Sequence, residues 1–398
     1  MSLWGHLETR YNTQQPRKLL ALDGGGIRGV LTLQVLIKME DLLREKSGQG
    51  EDFRLCNYFD YIGGTSTGAI IAAGLAIGKS ARFLSDFYQE VGPAMFEKAF
   101  ILMRLKHLYK SEPLTEKLKE VYGADTTLSS DKLKCLLLVV TRNVTTDSPW
   151  PISTNPYAKY NAPDRPDRNT QIPLWQLVRA STAAPVFFPP EVVQWDPNDP
   201  SKAFLFEDGG LTPYNNPAFL IARMATHPAY KLNWPTGEKN LLVMSVGTGS
   251  APTVDAGDVY SGGKNAFSNL VSFPGALMYG SAVDQDINCR IIGRCVHGGE
   301  FDKELGRCDT EIDREVGDLV YRDEPARDDL GRQFIYARYN AELSRKWLDK
   351  RGLGDVDPAN VSKLDSIAAI PDLIRVGKAL AEEVKIEHFN LDRFGQFY

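Results

Sequence analysis

Lys18-Leu19-Leu20-Ala21-Leu22-Asp23-Gly24-Gly25-Gly26-Ile27-Arg28-Gly29-Val30 runs from an apolar segment through a glycine turn into a helix. Lys18–Leu22 reads as a short buried strand. Beyond the turn, Val30, Leu31, Leu33, Val35, Leu36, Met39, Leu42 and Leu43 recur at helical spacing as far as Lys46. The same plan then repeats. Phe59–Ile62 is apolar, Gly64-Thr65-Ser66-Thr67-Gly68 is a turn, and Ala69–Ile77 is helical in pattern. Two strand–turn–helix units in succession predict a parallel α/β sheet with functional loops at the carboxyl ends of its strands.

Further strands are expected over Leu133–Thr141, Phe204–Phe206 and Asn240–Val246, and a helix over Leu174–Ser181. Asn143–Pro173 is rich in Asn, Asp, Pro and Thr and reads as a long loop, which in a compact domain usually carries function or moves. Ser250–Gly263 is rich in glycine and aspartate, and Asp302–Asp329 mixes charges of both signs as a solvated stretch does. Val361–His388 is expected to be helical, with Leu364, Ile367, Ile370, Leu373, Ile374 and Leu380 toward the core. Ala94–Tyr109 is a helix of another kind, with Met95, Phe96, Ala99, Phe100, Leu102 and Met103 beside Lys98, Arg104, Lys106, His107 and Lys110. Such a helix can lie in a membrane interface or turn its apolar side to the core.

The chain has 398 residues, enough for one large domain with elaborations or for two domains. Its hydrophobic content of 43% and charged content of 24% are those of a soluble globular protein. A net charge of −5 gives no electrostatic case for DNA or RNA, whose binders carry a basic face. Met1–Arg17 lacks the apolar core of a secretory signal, and Ala69–Gly78 is too short to span a bilayer. Five cysteines without a framework spacing read as reduced thiols, and Cys295, His297 and Cys308 match no common zinc pattern. No metal and no cofactor is called for.

Asp23–Gly29 fits the G-x-G-x-x-G pattern between strand and helix, as a dinucleotide site does. Asp23 sits where it would face a pyrophosphate, and Arg28 stands where such fingerprints are usually apolar. The alternative is an oxyanion hole, in which successive glycine N–H groups converge on one oxygen at a helix N-terminus. Gly64–Gly68 fits G-x-S-x-G in the context the motif needs, and would present Ser66 on a strained turn. None of the five histidines (His6, His107, His227, His297, His388) sits in a turn that resembles a catalytic histidine loop. Asp208-Gly209-Gly210 follows a strand and aims a carboxylate into open space. An aspartate accepts a serine proton directly if it is within reach and partly desolvated. An ordinary Asp-Gly turn has the same sequence.

Taken together, the three turns resemble those of the patatin-like phospholipases. Arg179-Ala180-Ser181-Thr182-Ala183-Ala184-Pro185, Asn215-Asn216-Pro217 and Ser245-Val246-Gly247-Thr248-Gly249 resemble further segments of that family, over Lys18–Gly249 in all. The resemblance implies a three-layer α/β fold with a central, mainly parallel sheet flanked by helices and a helical C-terminal elaboration. It divides the chain into a catalytic core at 18–250 and an elaboration at 251–398 packed on it. It implies Ser66 as nucleophile and Asp208 as base in a dyad without histidine. The oxyanion hole falls on Gly24, Gly25 and Gly26, with Arg28 helping, and Gly64, Gly68, Gly209 and Gly210 are the motif glycines. The implied reaction is hydrolysis of phospholipid acyl esters through an acyl-Ser66 intermediate, without metal. A general carboxylesterase or thioesterase with the same dyad is the alternative.

The C-terminal third looks more like bacterial patatin-like effectors of antiphage signalling, which a cyclic oligonucleotide activates. Contacts to such an activator would come from Asn143–Pro173, Ser250–Asn269 or Asp302–Asp329. The implied setting is cytoplasmic, with peripheral attachment to the inner membrane in the active state, and a homo-oligomer is left open. Phe187 and Phe188, close to Asp208, are expected to wall the acyl pocket.

Overall fold

β1 (Arg17–Leu22) lies inside the sheet and shows how the core is divided. Successive side chains of a strand point to opposite faces. Leu20 and Leu22 join one apolar layer, Leu19 and Ala21 the other. Both faces are covered, which is why the strand reads as a continuous apolar run rather than an alternating one.

The computed structural model describes residues 3–95, 112–185, 187–196, 199–250, 266–299, 310–312, 319–321 and 331–398. The other strands are β2 (Tyr61–Thr65), β3 (Leu136–Asn143), β4 (Ser148–Ser153), β5 (Glu191–Gln194), β6 (Ala203–Asp208), β7 (Leu241–Val246), β8 (Arg294–His297), β9 (Thr310–Ile312), β10 (Leu319–Tyr321) and β11 (Ile335–Tyr339). The main sheet runs β5-β6-β3-β2-β1-β7-β11-β8, with β4 also on β3, while β9 and β10 pair separately. From β3 to β8 every neighbour is parallel, and β4, β5 and β6 add an antiparallel margin. Helices Gly29–Ser47, Thr67–Ala76, Ala81–Met95 and Ile370–Ala381 cover one face, and Ala218–Thr226 with Ala266–Ile292 the other. The result is the three-layer, mainly parallel α/β architecture expected.

Several elements differ from the sequence reading. Asn143–Pro173 is not all loop, because β4 folds back on β3 as an antiparallel hairpin. The C-terminal part is not only helical: β8 and β11 extend the central sheet beyond β7. Both are short, and β11 is buried along its whole length, so neither shows a period of two. Val361–His388 is broken rather than continuous. A 3-10 turn at Ile367–Ala369 precedes the helix Ile370–Ala381, which restarts with Pro371 in its first turn, where no N–H is needed. Ile370, Leu373 and Leu380 are buried, and Leu364, Ile367 and Ile374 half-buried. Beyond Met95 the expected helix Ala94–Tyr109 lies outside the described residues, as do nearly all of Ser250–Gly263 and most of Asp302–Asp329. No described helix is long and apolar enough to cross a membrane.

The amino end of β1 carries a buried charge cluster opposite the loops. Asp60 Oδ1 lies 3.3 Å from Arg10 Nε and 3.6 Å from Arg17 Nη1, and its Oδ2 accepts the Lys18 N–H at 2.9 Å, with Lys18 Nζ at 3.7 Å. All four side chains are buried. These cations hold the Asp60 carboxyl below the usual carboxylate range, against the burial that pushes it up. Removing one partner from a buried pair strands the other charge and costs about 3–5 kcal/mol. Asp60→Asn is therefore expected to lower unfolding stability by about that amount, read from urea titration at pH 7. A loss below about 1 kcal/mol would show that the cluster is not organised by this carboxylate.

Candidate active site

Ser66 sits between β2 and the helix Thr67–Ala76 at φ 54° and ψ −123°, in a region that side chains rarely occupy. The turn closes only because its glycines lack side chains. A Cβ on Gly64 would lie 2.1 Å from the Gly68 carbonyl oxygen, and one on Gly68 2.2 Å from that of Leu22. The Ser66 N–H donates to Ser181 Oγ at 2.9 Å, and that hydroxyl donates to the Val140 carbonyl at 2.7 Å. The elbow is thus tied to β3 through the end of the helix Leu174–Ser181.

β3 also explains how Asp208 reaches Ser66. β4 occupies one edge of β3 along Leu138–Asn143. On the other edge β2 pairs up to Thr65 opposite Val140, and β6 takes over with Asp208 opposite Thr141. Two strands of opposite direction meet end to end on consecutive residues of a third, and their terminal side chains converge. Ser66 Oγ donates to Asp208 Oδ2 at 2.6 Å.

The other carboxylate oxygen, Asp208 Oδ1, accepts the Gly210 N–H at 2.7 Å. Both catalytic candidates are buried, and burial pushes the Asp208 carboxyl up to about 6. The bonds from Ser66 and Gly210 and the charge of Arg179 pull it back down. The group is therefore ionised at neutral pH yet a far better proton acceptor than a solvated aspartate.

The glycine loop is held on both sides. The Gly24 N–H donates to the Asn215 carbonyl at 3.1 Å, and the Ile27 N–H to the Leu364 carbonyl at 2.8 Å. Thr248 Oγ1 donates to the Gly24 carbonyl at 2.9 Å. Among the described residues the N–H groups of Gly25 and Gly26 have no partner. Of Gly24, Gly25 and Gly26, the three glycines expected to form an oxyanion hole, Gly24 already spends its N–H on the Asn215 carbonyl. Arg28 turns back on its own loop, its Nε donating to the Gly25 carbonyl at 3.4 Å, and it does not line the cleft beside Ser66. Burial lowers it to about 10, so it stays charged.

Residues 20–222, just over half of the chain, match the family model described as patatin-like phospholipase. The chain belongs to the patatin-like phospholipase family. It is similar to a cGAMP-activated phospholipase of Vibrio cholerae, with 35% identity over 51% of this chain and 56% of that one. It is 31% identical to a cGAMP-activated phospholipase of Escherichia coli over 59% of this chain and 63% of that one. Patatin-15 of Solanum tuberosum is 29% identical over 60% and 61% of the two chains. The match thus spans less than two thirds of each relative's length.

In this family member a cleft opens beside Ser66 and Asp208. Phe187, Phe188, Ile70 and Leu114 give it apolar walls, as expected for the two phenylalanines. No described histidine lines it. His6 bonds to the Leu133 carbonyl, His227 caps the Ala229 N–H, and His297 stacks on His388 and Tyr339 at the carboxyl ends of β8 and β11. His107 and Cys308 lie outside the described residues. Gly209 packs its Cα side against the Val140 carbonyl, and Gly210 supplies the N–H already described.

Site residues without a signal in the sequence come mostly from the C-terminal part of this patatin-like chain. Met278 and Leu364 line the cleft, and Arg338 holds Asp23. Ser181 was legible as part of a family-like segment, but its bond to the elbow was not.

Proposed function

We propose that the chain is a lipid acyl hydrolase in which Ser66 is the nucleophile and Asp208 the base. The observation that carries this reading is the 2.6 Å hydrogen bond from Ser66 Oγ to a buried, desolvated carboxylate at the head of an apolar cleft. As Ser66 Oγ attacks the ester carbonyl carbon, its proton passes to Asp208 Oδ2. The carbonyl oxygen, now anionic, is taken by the Gly25 and Gly26 N–H groups at the start of a helix. Collapse of the tetrahedral intermediate breaks the bond to the alcohol, which leaves with the proton from Asp208. Water then attacks acyl-Ser66 and gives a proton to Asp208, the bond from the acyl carbon to Ser66 Oγ breaks, and Asp208 returns the proton to Oγ as the fatty acid leaves.

The cleft walls suit an acyl chain, and the membrane supplies the substrate. Leu277 and Tyr279 are exposed on either side of Met278, which lines the cleft, and give it an apolar flank for a lipid surface. A cyclic oligonucleotide is proposed as the activator, on the strength of the two bacterial relatives whose names carry that property.

Phospholipid vesicles incubated with the full chain, with and without a panel of cyclic oligonucleotides that includes cGAMP, test both readings. Released fatty acid is expected to rise at least tenfold with one member of the panel. Turnover that is high and unchanged across the panel would remove the activator from the proposal. Hydrolysis of soluble esters or thioesters with intact vesicles would favour the general esterase reading.

A further inference from the structure

The carboxylate next to the glycine loop has a partner from the far end of the chain. Asp23, buried immediately before Gly24, accepts from Arg338 Nη1 at 2.7 Å on Oδ1 and from Arg338 Nη2 at 2.5 Å on Oδ2. Arg338 is itself buried on β11, where it is registered against Ser245 of β7. Its Nη1 also donates to Ser245 Oγ at 2.7 Å, and Ser245 Oγ donates to Asn216 Oδ1 at 3.1 Å. The neighbouring residue, Asn215, accepts the Gly24 N–H through its carbonyl. Asp23, Arg338, Ser245, Asn216, Asn215 and Gly24 therefore form a closed ring. With Ile27 held by Leu364, the loop is fixed at 23, 24 and 27 and open only at 25 and 26.

We propose that Arg338 is a positioning residue for ester hydrolysis: it fixes the oxyanion loop through Asp23 and neutralises that buried carboxylate, which would otherwise oppose the oxyanion. The inference rests on the acyl-transfer reading of Ser66. Two-point guanidinium–carboxylate pairing sets orientation as well as distance, which a point charge does not. An unpaired buried carboxylate two residues from Gly25 would repel negative charge forming on the substrate. The charged groups that face Asp23 are Arg338 from β11, Asp286 from the helix Ala266–Ile292 and Arg28 from its own turn. Burial already raises the Asp23 carboxyl against the pull of Arg338, so losing Arg338 raises it further.

The test uses the full chain and p-nitrophenyl butyrate, with Ser66→Ala as the blank. Loss of one oxyanion donor lowers kcat by about 10²–10³. Arg338→Met is expected to lower kcat by about 100-fold at pH 8 with KM within about threefold, since the defect falls on the transition state. The defect should shrink as the pH falls and Asp23 takes up a proton, a dependence that a merely structural role does not produce. Asp23→Asn combined with Arg338→Met, which removes both charges, should recover at least tenfold over Arg338→Met. Arg338→Lys keeps the charge, loses the two-point geometry, and should fall between. If Arg338→Met does not fold by circular dichroism, Arg338→Lys and the double variant carry the comparison with wild type.

Hydrogen exchange over Asp23–Gly29 reads the same ring without substrate and should be faster in Arg338→Lys. Wild-type kcat in the Arg338 variants, a defect independent of pH, or unchanged exchange would each overturn the inference alone. Absence of Ser66-dependent hydrolysis in the wild type would instead overturn the acyl-transfer reading on which it rests.

Discussion

Ser66→Ala is expected to abolish ester turnover while leaving the sheet intact. The serine occupies the turn where β2 ends, and its hydroxyl is the group that Asp208 addresses. Removal of a serine nucleophile lowers kcat on the order of 10⁶-fold, because the covalent route disappears and only binding and oxyanion stabilisation remain. The measurement is the initial rate on p-nitrophenyl butyrate, with labelling by a fluorophosphonate as a second readout. Retention of activity within tenfold of wild type would exclude Ser66 as nucleophile. The same position stores backbone strain, since φ 54° with ψ −123° is costly for any residue with a Cβ. Ser66→Gly should therefore unfold at a higher urea concentration than Ser66→Ala, by about 1 kcal/mol.

Asp208→Asn should be nearly inactive and more stable than wild type. A general base contributes up to about 10⁴ in rate, and an amide cannot take the serine proton. In the wild type, activity should rise with pH through about 6, as Asp208 loses its proton, and level off above. The stability argument uses the same group. Its carboxyl moves from an ordinary value of 3.8 to about 6 on folding, so the folded state binds the proton more tightly. Stability from this group is complete below pH 4 and is lost as the pH rises to about 6. The loss is about 3 kcal/mol at neutral pH, at 1.36 kcal/mol for each unit. Asp208→Asn has no charge to bury and should recover much of that at pH 8 but little at pH 4. Equal stability of the two proteins at pH 8 would mean that the carboxylate is not desolvated as its surroundings imply.

The parts of the fold and site that were legible are those written in local sequence. Leu19–Leu22 followed by Asp23–Gly29, and Gly64–Gly68 between a strand and a helix, each carry their own structural meaning within a dozen residues. Asp208-Gly209-Gly210 was legible as a strand end, but its meeting with Ser66 depends on the hand-over from β2 to β6 along β3, which no local pattern encodes. The sequence treated Asp23 as an argument against a pyrophosphate. Its actual role is set by Arg338, a residue 315 positions later in the chain. The engaged Gly24 N–H was hidden for the same reason, because its acceptor is the Asn215 carbonyl. β8 and β11 escaped because β8 has four residues and β11 is buried along its whole length, so neither shows the alternation that distinguishes a strand from any other apolar run.

The ring through Arg338 also sets a timetable. Ribosomes add about 5–20 residues per second, so the 315 positions from Asp23 to its partner take roughly a quarter of a minute to a minute to appear. For most of that interval Ser66 has been made, and the β2 turn can form, but the loop beside it has no anchor on the β11 side. A chain released early, or still being synthesised, holds its nucleophile without a finished cradle for the oxyanion. For a protein whose proposed substrate is a membrane lipid, that order of assembly delays the hazard until β11 has been made.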